Sequence, residues 1–437
     1  MMDTTTPTAE APTQRSAGRK EIREQLTVLD FISNLLTESS FDLQPLLDEI
    51  VRVAAETMHM KACTIRLLES DTGEMKLKSA HGLSDEYLSK GPVIADRSIF
   101  RQLVERCGSE HEIVEIFDVG RDPSVQYARE AVTEGIRSLL AAPLIRDGEA
   151  VGALTVFTAE PHFFTEEEQR LFKTIANNAS VAISLAQLYQ EKLELQRIEQ
   201  ELKIAADIQR KLMPSKPPKV EGFDIAGTYH PCQEVGGDFF DFIELPDSNM
   251  GIALGDVAGK GIPASLLMAA VRTALRVQAE NIYAMRDVMG RVNRAIYEDT
   301  RPDEFVTLFY GVLNAEDRIL TYVNAGHTTS ILVRDGEVRY LEAGGPPIGI
   351  LPELLAGQER LQLHSGDTIV LFTDGYPDAT SADGRSFGED RVVDLLRSTG
   401  DLSAIEIMAR LNAAVELFHQ DSDEYADDRT MVVVKCL

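Results

Sequence analysis

The feature that most constrains this chain is a helical pattern that begins at Glu166 and hardly breaks before Met213-Pro214. Thr165 with Glu168 three residues later forms a capping box, which marks the start. Pro214, Pro217 and Pro218 force the end, because their rings remove backbone donors. A helix of this length does not fit inside an ordinary globular domain, so the chain reads as two bodies with a helix between them. Val181, Leu188, Leu195, Ile198, Leu202, Ala205 and Leu212 follow heptad-like spacing, interrupted by Ser184, Glu191 and Gln209. Such a stripe predicts a loose coiled coil and therefore a homodimer. The 437-residue length agrees with two or three domains.

Ahead of the long helix, residues 1–19 are rich in Thr, Pro and Ala and read as a disordered tail. Lys20–Thr37 and Leu43–Met58 have helical apolar spacing. Strands are expected at Cys63–Leu68, Met75–Ser79, Ile113–Phe117 and Val151–Phe157, with a helix over Ser98–Cys107. The run Gly135 to Leu144, the turn Arg146-Asp147-Gly148-Glu149, the strand after it and the capped helix together resemble a GAF sensor domain of α/β type over about Leu43–Gln187. The resemblance implies a small ligand on the concave face of the sheet, but no residue set selects one, and the GAF ligand is left unknown. Cys63 and His81 are the tempting ligands; a lone Cys in an apolar strand reads first as core. The expected organisation is a tail over 1–19, a helix plus GAF domain over 20–187, a signalling-helix linker over 188–214 and a catalytic domain over 215–437.

After Pro218, strand-like runs at Phe223–Tyr229, Asp238–Ile243 and Met250–Val257 precede helices at Ile262–Glu280 and Met285–Glu298. Four further strand-like runs lie between Thr307 and Glu342. Ile369–Phe372, helices near Asp390–Arg397 and Ala404–Phe418, and a last strand at Met431–Lys435 complete the chain. This is an α+β pattern of sheets covered by helices. Acidic motifs abut the apolar runs: Gly236-Gly237-Asp238-Phe239-Phe240-Asp241, Gly255-Asp256-Val257-Ala258-Gly259, Thr373-Asp374-Gly375 and Asp427-Asp428-Arg429-Thr430. One Asp-Gly pair is usually a turn. Four such motifs in series, each at a strand end, instead predict carboxylates gathered at one edge. Carboxylates so crowded call for hard divalent cations between them.

These motifs, with Gly255-Asp256-Val257-Ala258-Gly259-Lys260-Gly261 and Asn324-Ala325-Gly326-His327, resemble the metal-dependent (PPM-type, PP2C-like) serine/threonine protein phosphatases. The branch is that of the bacterial stress-response and sporulation phosphatases, and the likeness covers about Phe223 to the C-terminus. It implies a sandwich of two antiparallel sheets flanked by helices, and two Mn²⁺ or Mg²⁺ ions that activate a water for phosphomonoester hydrolysis. Carried over residue by residue, Asp238 and Asp256 would lie between the ions, Val257 would offer its carbonyl, and Asp374 and Asp427 would complete the ligands. Asp241 and Asp428 would support them. Lys260 could meet the phosphate, but it reads first as an exposed loop lysine. Eukaryotic relatives have a histidine, proposed as general acid, where this chain has Ala258; His327 belongs to a motif that looks structural. The segment Ala205–Met213 resembles the piece that carries regulatory movement in this family. Family analogy points to a phosphorylated anti-sigma-factor antagonist as substrate. The competing reading is a non-catalytic scaffold with a substrate-binding pseudophosphatase domain, which would be expected to lose its carboxylates. Gly236-Gly237-Asp238-Phe239-Phe240 also nears the signature of diguanylate cyclases but lacks its acidic fourth residue.

A net charge of −28 argues against nucleic acid and anionic membrane surfaces as partners. Four scattered cysteines without a CxxC pair suit a reducing cytoplasm and exclude a zinc ribbon.

Overall fold

The computed structural model describes residues 43–437 apart from 70, 109–111, 282–283, 302, 328–329, 343 and 420–426. The tail and the helix expected over Lys20–Thr37 lie outside the described residues. The chain divides into two compact units, Met1–Arg197 and Ile198–Leu437, and the division falls within one unbroken helix, Glu166–Leu212.

The first unit is built on β1 (Ala62–Glu69), β2 (Glu74–His81), β3 (Val114–Ile116), β4 (Ser138–Arg146) and β5 (Glu149–Thr158). They form an antiparallel sheet in the order β2-β1-β5-β4-β3. Alternate strand residues point to opposite faces, which sorts the apolar side chains into two cores. Cys63, Ile65, Leu154 and Val156 meet the helix Leu43–Thr57 and the part of the long helix carrying Phe172, Ile175, Ala179 and Ile183. Ala62, Leu139, Ala153 and Phe157 meet Tyr87 and the helix Ile99–Arg106 on the other face. Cys63 is therefore a core residue of the helix-covered face, and burial pushes its thiol up. The capping box forms as expected. The Thr165 N–H donates to a Glu168 carboxylate oxygen at 2.7 Å, and the Glu168 N–H donates to Thr165 Oγ1 at 3.3 Å.

The second unit contains β6 (Phe223–His230), β7 (Phe239–Leu245), β8 (Asn249–Val257), β9 (Val306–Asn314), β10 (Ile319–Ala325), β11 (Ser330–Arg334), β12 (Glu337–Tyr340), β13 (Gly344–Gly345), β14 (Glu359–Gln362), β15 (Thr368–Phe372) and β16 (Arg429–Cys436). One sheet runs β13-β10-β9-β8-β7, with β14 also paired to β10; the other runs β12-β11-β15-β16-β6. Pairing is antiparallel except for the two-residue contact of β13 with β10. Helices Gly261–Asn281 and Met285–Asp299 cover the first sheet, and Ala404–His419 covers the second beside Glu389–Leu396. Val432 and Val434 of β16 join the core between the sheets, while Met431 and Val433 face the helices. The architecture is the expected α+β arrangement. β13 and β14 were not expected: one is too short to show a pattern, and the other, Glu-Arg-Leu-Gln, buries only Leu361. Among the described residues no helix is long and apolar enough to cross a membrane.

Candidate active site

Strand register brings the acidic motifs to one end of the sandwich. β7 and β8 pair with Phe239 opposite Gly255, so Asp238, just before β7, comes beside Asp256 near the end of β8. β15 and β16 pair with Phe372 opposite Met431, so Thr373-Asp374 leave β15 where Asp427-Asp428 enter β16. Asp238 is 2% exposed, and its Oδ2 accepts hydrogen bonds from the Thr373 and Thr430 hydroxyls, each at 2.7 Å. Thr373 Oγ1 also accepts from the Thr430 N–H at 2.9 Å. One threonine from each of two motifs thus orients a carboxylate belonging to a third.

Asp428 clamps backbone. Its Oδ1 accepts from the Cys232 N–H at 2.8 Å, and its Oδ2 from the N–H groups of Gly237 at 2.7 Å and Asp238 at 3.3 Å. The approach is so close that a Cβ on Gly236 would stand 2.0 Å from Asp428 Oδ2, and one on Gly375 would stand 2.0 Å from the Asp428 carbonyl oxygen. From the other side, Gln209 of the long helix holds the same loop. Its Nε2 donates to the Gly236 carbonyl at 2.6 Å, and its Oε1 accepts from the Gly236 N–H at 3.1 Å and the Tyr229 hydroxyl at 3.2 Å. Gln209, expected as a polar interruption of the pairing stripe, is 5% exposed within this unit. The Val257 carbonyl lies against this loop, 2.9 Å from where a Gly237 Cβ would be.

The electrostatics are those of crowded anions. Burial, then Asp256 and Asp428, raises Asp238 well above the usual carboxylate range, against the pull of its two threonine hydroxyls. Burial, then Asp374 and Asp427, pushes Asp256 up to about 7. Burial, then Asp427, raises Asp374. Lys260, in a loop and exposed as expected, reaches Asp427 Oδ2 at 2.9 Å. Among the described residues, no three His, Cys, Asp or Glu side chains converge tightly enough to enclose a metal ion. Asp238 commits one oxygen to two hydroxyls and Asp427 one to Lys260, so the donors neighbour one another without sharing a point. The donor set is nonetheless all oxygen, and groups held partly protonated by mutual repulsion are those a hard divalent cation would ionise. In charge and chemistry the residues fit Mn²⁺ or Mg²⁺.

Asp241 is not part of this cluster. It lies three residues beyond Asp238 on β7, and its buried carboxylate takes Arg276 Nε at 2.6 Å and Arg272 at 3.0 Å, both from the helix Gly261–Asn281. His327 is buried and positions backbone. Its Nε2 donates to the Phe372 carbonyl at 3.0 Å, and Thr307 Oγ1 donates to its Nδ1 at 3.0 Å. Burial lowers it to about 4, which keeps it neutral beneath the Thr373-Asp374 turn. Thr373, Thr430 and Gln209 were not singled out from sequence. The signal available was a threonine next to an aspartate motif in both Thr373-Asp374 and Asp428-Arg429-Thr430.

Residues 246–437 match the family described as Stage II sporulation protein E (SpoIIE), and residues 42–184 match the GAF domain family. Asp238 lies outside the first match; Asp256, Asp374, Asp427 and Asp428 lie inside it. The chain is 33% identical over 210 residues to phosphoserine phosphatase RsbU of Bacillus subtilis (strain 168), covering 47% of this chain and 62% of that protein. It is 27% identical over 262 residues to protein IcfG of Synechocystis sp., covering 54% of this chain and 41% of that one. The chain thus spans less than two thirds of either relative. The SiaA-PP2C domain of Pseudomonas aeruginosa shares the fold, with a TM-score of 0.50 and 23% identity over 55% of this chain and 98% of that domain. With the two matched segments corresponding to the two folds described above, the chain carries a SpoIIE-type PP2C phosphatase domain behind an N-terminal GAF domain.

Proposed function

We propose that this protein is a metal-dependent phosphoserine/phosphothreonine phosphatase under the control of its GAF domain. The observation that carries the reading is the meeting of Asp238, Asp256, Asp374 and Asp427 at one end of the sandwich, in a domain of a phosphatase family. Asp238, Asp256, the Val257 carbonyl, Asp374 and Asp427 are the proposed ligands of two Mn²⁺ or Mg²⁺ ions. When bound, such ions supply Lewis acidity for attack on a phosphomonoester and offset its charge. The chain's own part is placement. Thr373 and Thr430 aim Asp238, Asp428 and Gln209 fix the loop before it, and His327 fixes the turn before Asp374. Lys260, which pairs with Asp427, would exchange that partner for an arriving phosphate. With Ala258 in the position of the eukaryotic histidine, the leaving alkoxide takes its proton from water or from another group.

RsbU is named a phosphoserine phosphatase. By analogy the substrate is a small phosphorylated anti-sigma-factor antagonist, whose dephosphorylation would release a sigma factor. The protein acts as a homodimer. On the long helix Val181, Leu188, Leu195 and Ile198 are 58%, 59%, 67% and 46% exposed, a stripe that a second copy would bury.

Purified full-length protein should hydrolyse p-nitrophenyl phosphate with Mn²⁺ and stop when the metal is chelated. A folded protein that binds a phosphoprotein but hydrolyses neither it nor p-nitrophenyl phosphate, with Mn²⁺ or with Mg²⁺, would leave the scaffold reading in place.

A further inference from the structure

The face of the first sheet opposite the long helix contains a cavity of about 90 Å³. That is room for a few waters or one small organic molecule. Its floor is mainly apolar, formed by Leu139, Ala153 and Phe157 of the sheet, with Thr64 and Thr155 among them and Phe100 above. Two cations, Arg66 and Lys90, enter this lining. Arg66 spends one N–H on the Met75 carbonyl at 2.8 Å. Among the described residues Lys90 Nζ meets the Tyr87 carbonyl at 3.2 Å and the face of the Tyr87 ring at 3.3 Å.

Two of the carboxylates nearby are engaged elsewhere. Glu134 takes the Ser84 N–H at 3.0 Å and Lys61 at 3.5 Å, and Glu74 takes Lys76 at 3.3 Å. Among the described residues neither Arg66 nor Lys90 has a carboxylate at ion-pair distance. Two unpaired cations beside an apolar floor are unfavourable unless something negative joins them. Burial lowers Arg66, and burial followed by Arg66 itself brings Lys90 down to about 7, with Glu130 and Glu134 opposing.

We propose that this cavity binds a small monocarboxylate with an apolar body. Its carboxylate meets the Arg66 guanidinium, whose planar fork matches it, and the Lys90 ammonium. Its body lies on Leu139, Ala153 and Phe157. A neutral ligand would bury the floor but leave both cations unpaired. A free phosphate would pair the cations but leave the floor uncovered.

The test is isothermal titration calorimetry of the full-length protein with butyrate, hexanoate, benzoate and phenylacetate, each beside its primary amide, and with inorganic phosphate. Binding is read as heat, so the outcome does not depend on whether the C-terminal domain is an active phosphatase. At least one acid should bind about tenfold or more tightly than its amide and than phosphate. Lys90→Gln should weaken that acid about tenfold, and Ala153→Leu, which fills the floor, should abolish its binding. Arg66→Met should do the same, but it also removes a bond to β2, so Lys90→Gln and Ala153→Leu carry the decision. If no acid binds better than its amide, if phosphate binds as well as every acid, or if the best acid binds Lys90→Gln and Ala153→Leu as it binds wild type, the proposal is wrong.

Discussion

Replacing Gln209 with methionine keeps the length of the side chain and removes its amide. Three hydrogen bonds go with it: the donation to the Gly236 carbonyl, and the two accepted from the Gly236 N–H and the Tyr229 hydroxyl. The hydroxyl can turn to water, whereas both Gly236 groups lie in buried backbone. At roughly 1–3 kcal/mol for each buried group left unpaired, with partial relief by relaxation, the loss comes to about 2–4 kcal/mol. For a unit of this size that is a fall of roughly 5–15 °C in its thermal transition. The same bonds hold the loop that positions Asp238, so the Mn²⁺ concentration for half-maximal p-nitrophenyl phosphate turnover should rise. Asp428 still holds Gly237 and Asp238, so turnover at saturating Mn²⁺ should fall less than the affinity does. Differential scanning calorimetry of the full chain, read at the transition of the C-terminal unit, and a Mn²⁺ titration provide the two measurements. An unchanged transition together with an unchanged Mn²⁺ midpoint would refute the reasoning, because the clamp would then hold nothing.

Four further outcomes are expected. Asp374→Asn should remove most Mn²⁺-dependent turnover and leave the thermal transition of the C-terminal unit in place; near-normal turnover in the folded variant would contradict its proposed role as a ligand. Gly236→Ala should be at least as damaging as Gln209→Met, since its Cβ would stand 2.0 Å from Asp428 Oδ2. His327, brought down to about 4 by burial, binds its proton more weakly in the folded than in the unfolded chain. Its contribution is therefore complete above pH 6.5 and is lost as pH falls towards 4, by about 1.4 kcal/mol per unit and about 3 kcal/mol in all; the pH slope of stability should flatten in His327→Gln. Leu195→Glu with Leu202→Glu should convert dimers to monomers in light scattering and alter basal turnover, and a monomeric wild type at micromolar concentration would dispose of the proposed pairing.

Much of the site can be read from the sequence because its carboxylates sit at strand ends, where an apolar run stops and Asp-Gly or Asp-Asp begins. Asp241 shows the limit of motif reading. It shares a motif with Asp238, yet odd spacing on a strand sends the two to opposite sides, and Asp241 ends among the arginines of a covering helix. Gln209 shows another limit. Helical periodicity made it a polar interruption of a pairing stripe, whereas the Gly236 loop, arriving from elsewhere in the chain, takes both ends of its amide. β13 takes its strand form from β10 rather than from any property of two glycines. The Arg66 and Lys90 cavity was not legible either, because an isolated Arg and an isolated Lys look like surface residues until the fold encloses them.

β16 lies inside its sheet, between β15 and the edge strand β6, although it comes last in sequence among the described strands. Asp428, at its entrance, ties down Cys232, Gly237 and Asp238, nearly two hundred residues upstream. During synthesis every earlier strand can leave the ribosome while β15 and β6 still lack the neighbour that joins them. A chain ended early by a nonsense codon or by proteolysis before residue 427 would lack Asp427, the Asp428 clamp and the strand that joins β6 to its sheet at one stroke. The order of elements thus makes the junction of β15 with β6 and the Asp428 clamp wait on the same late strand.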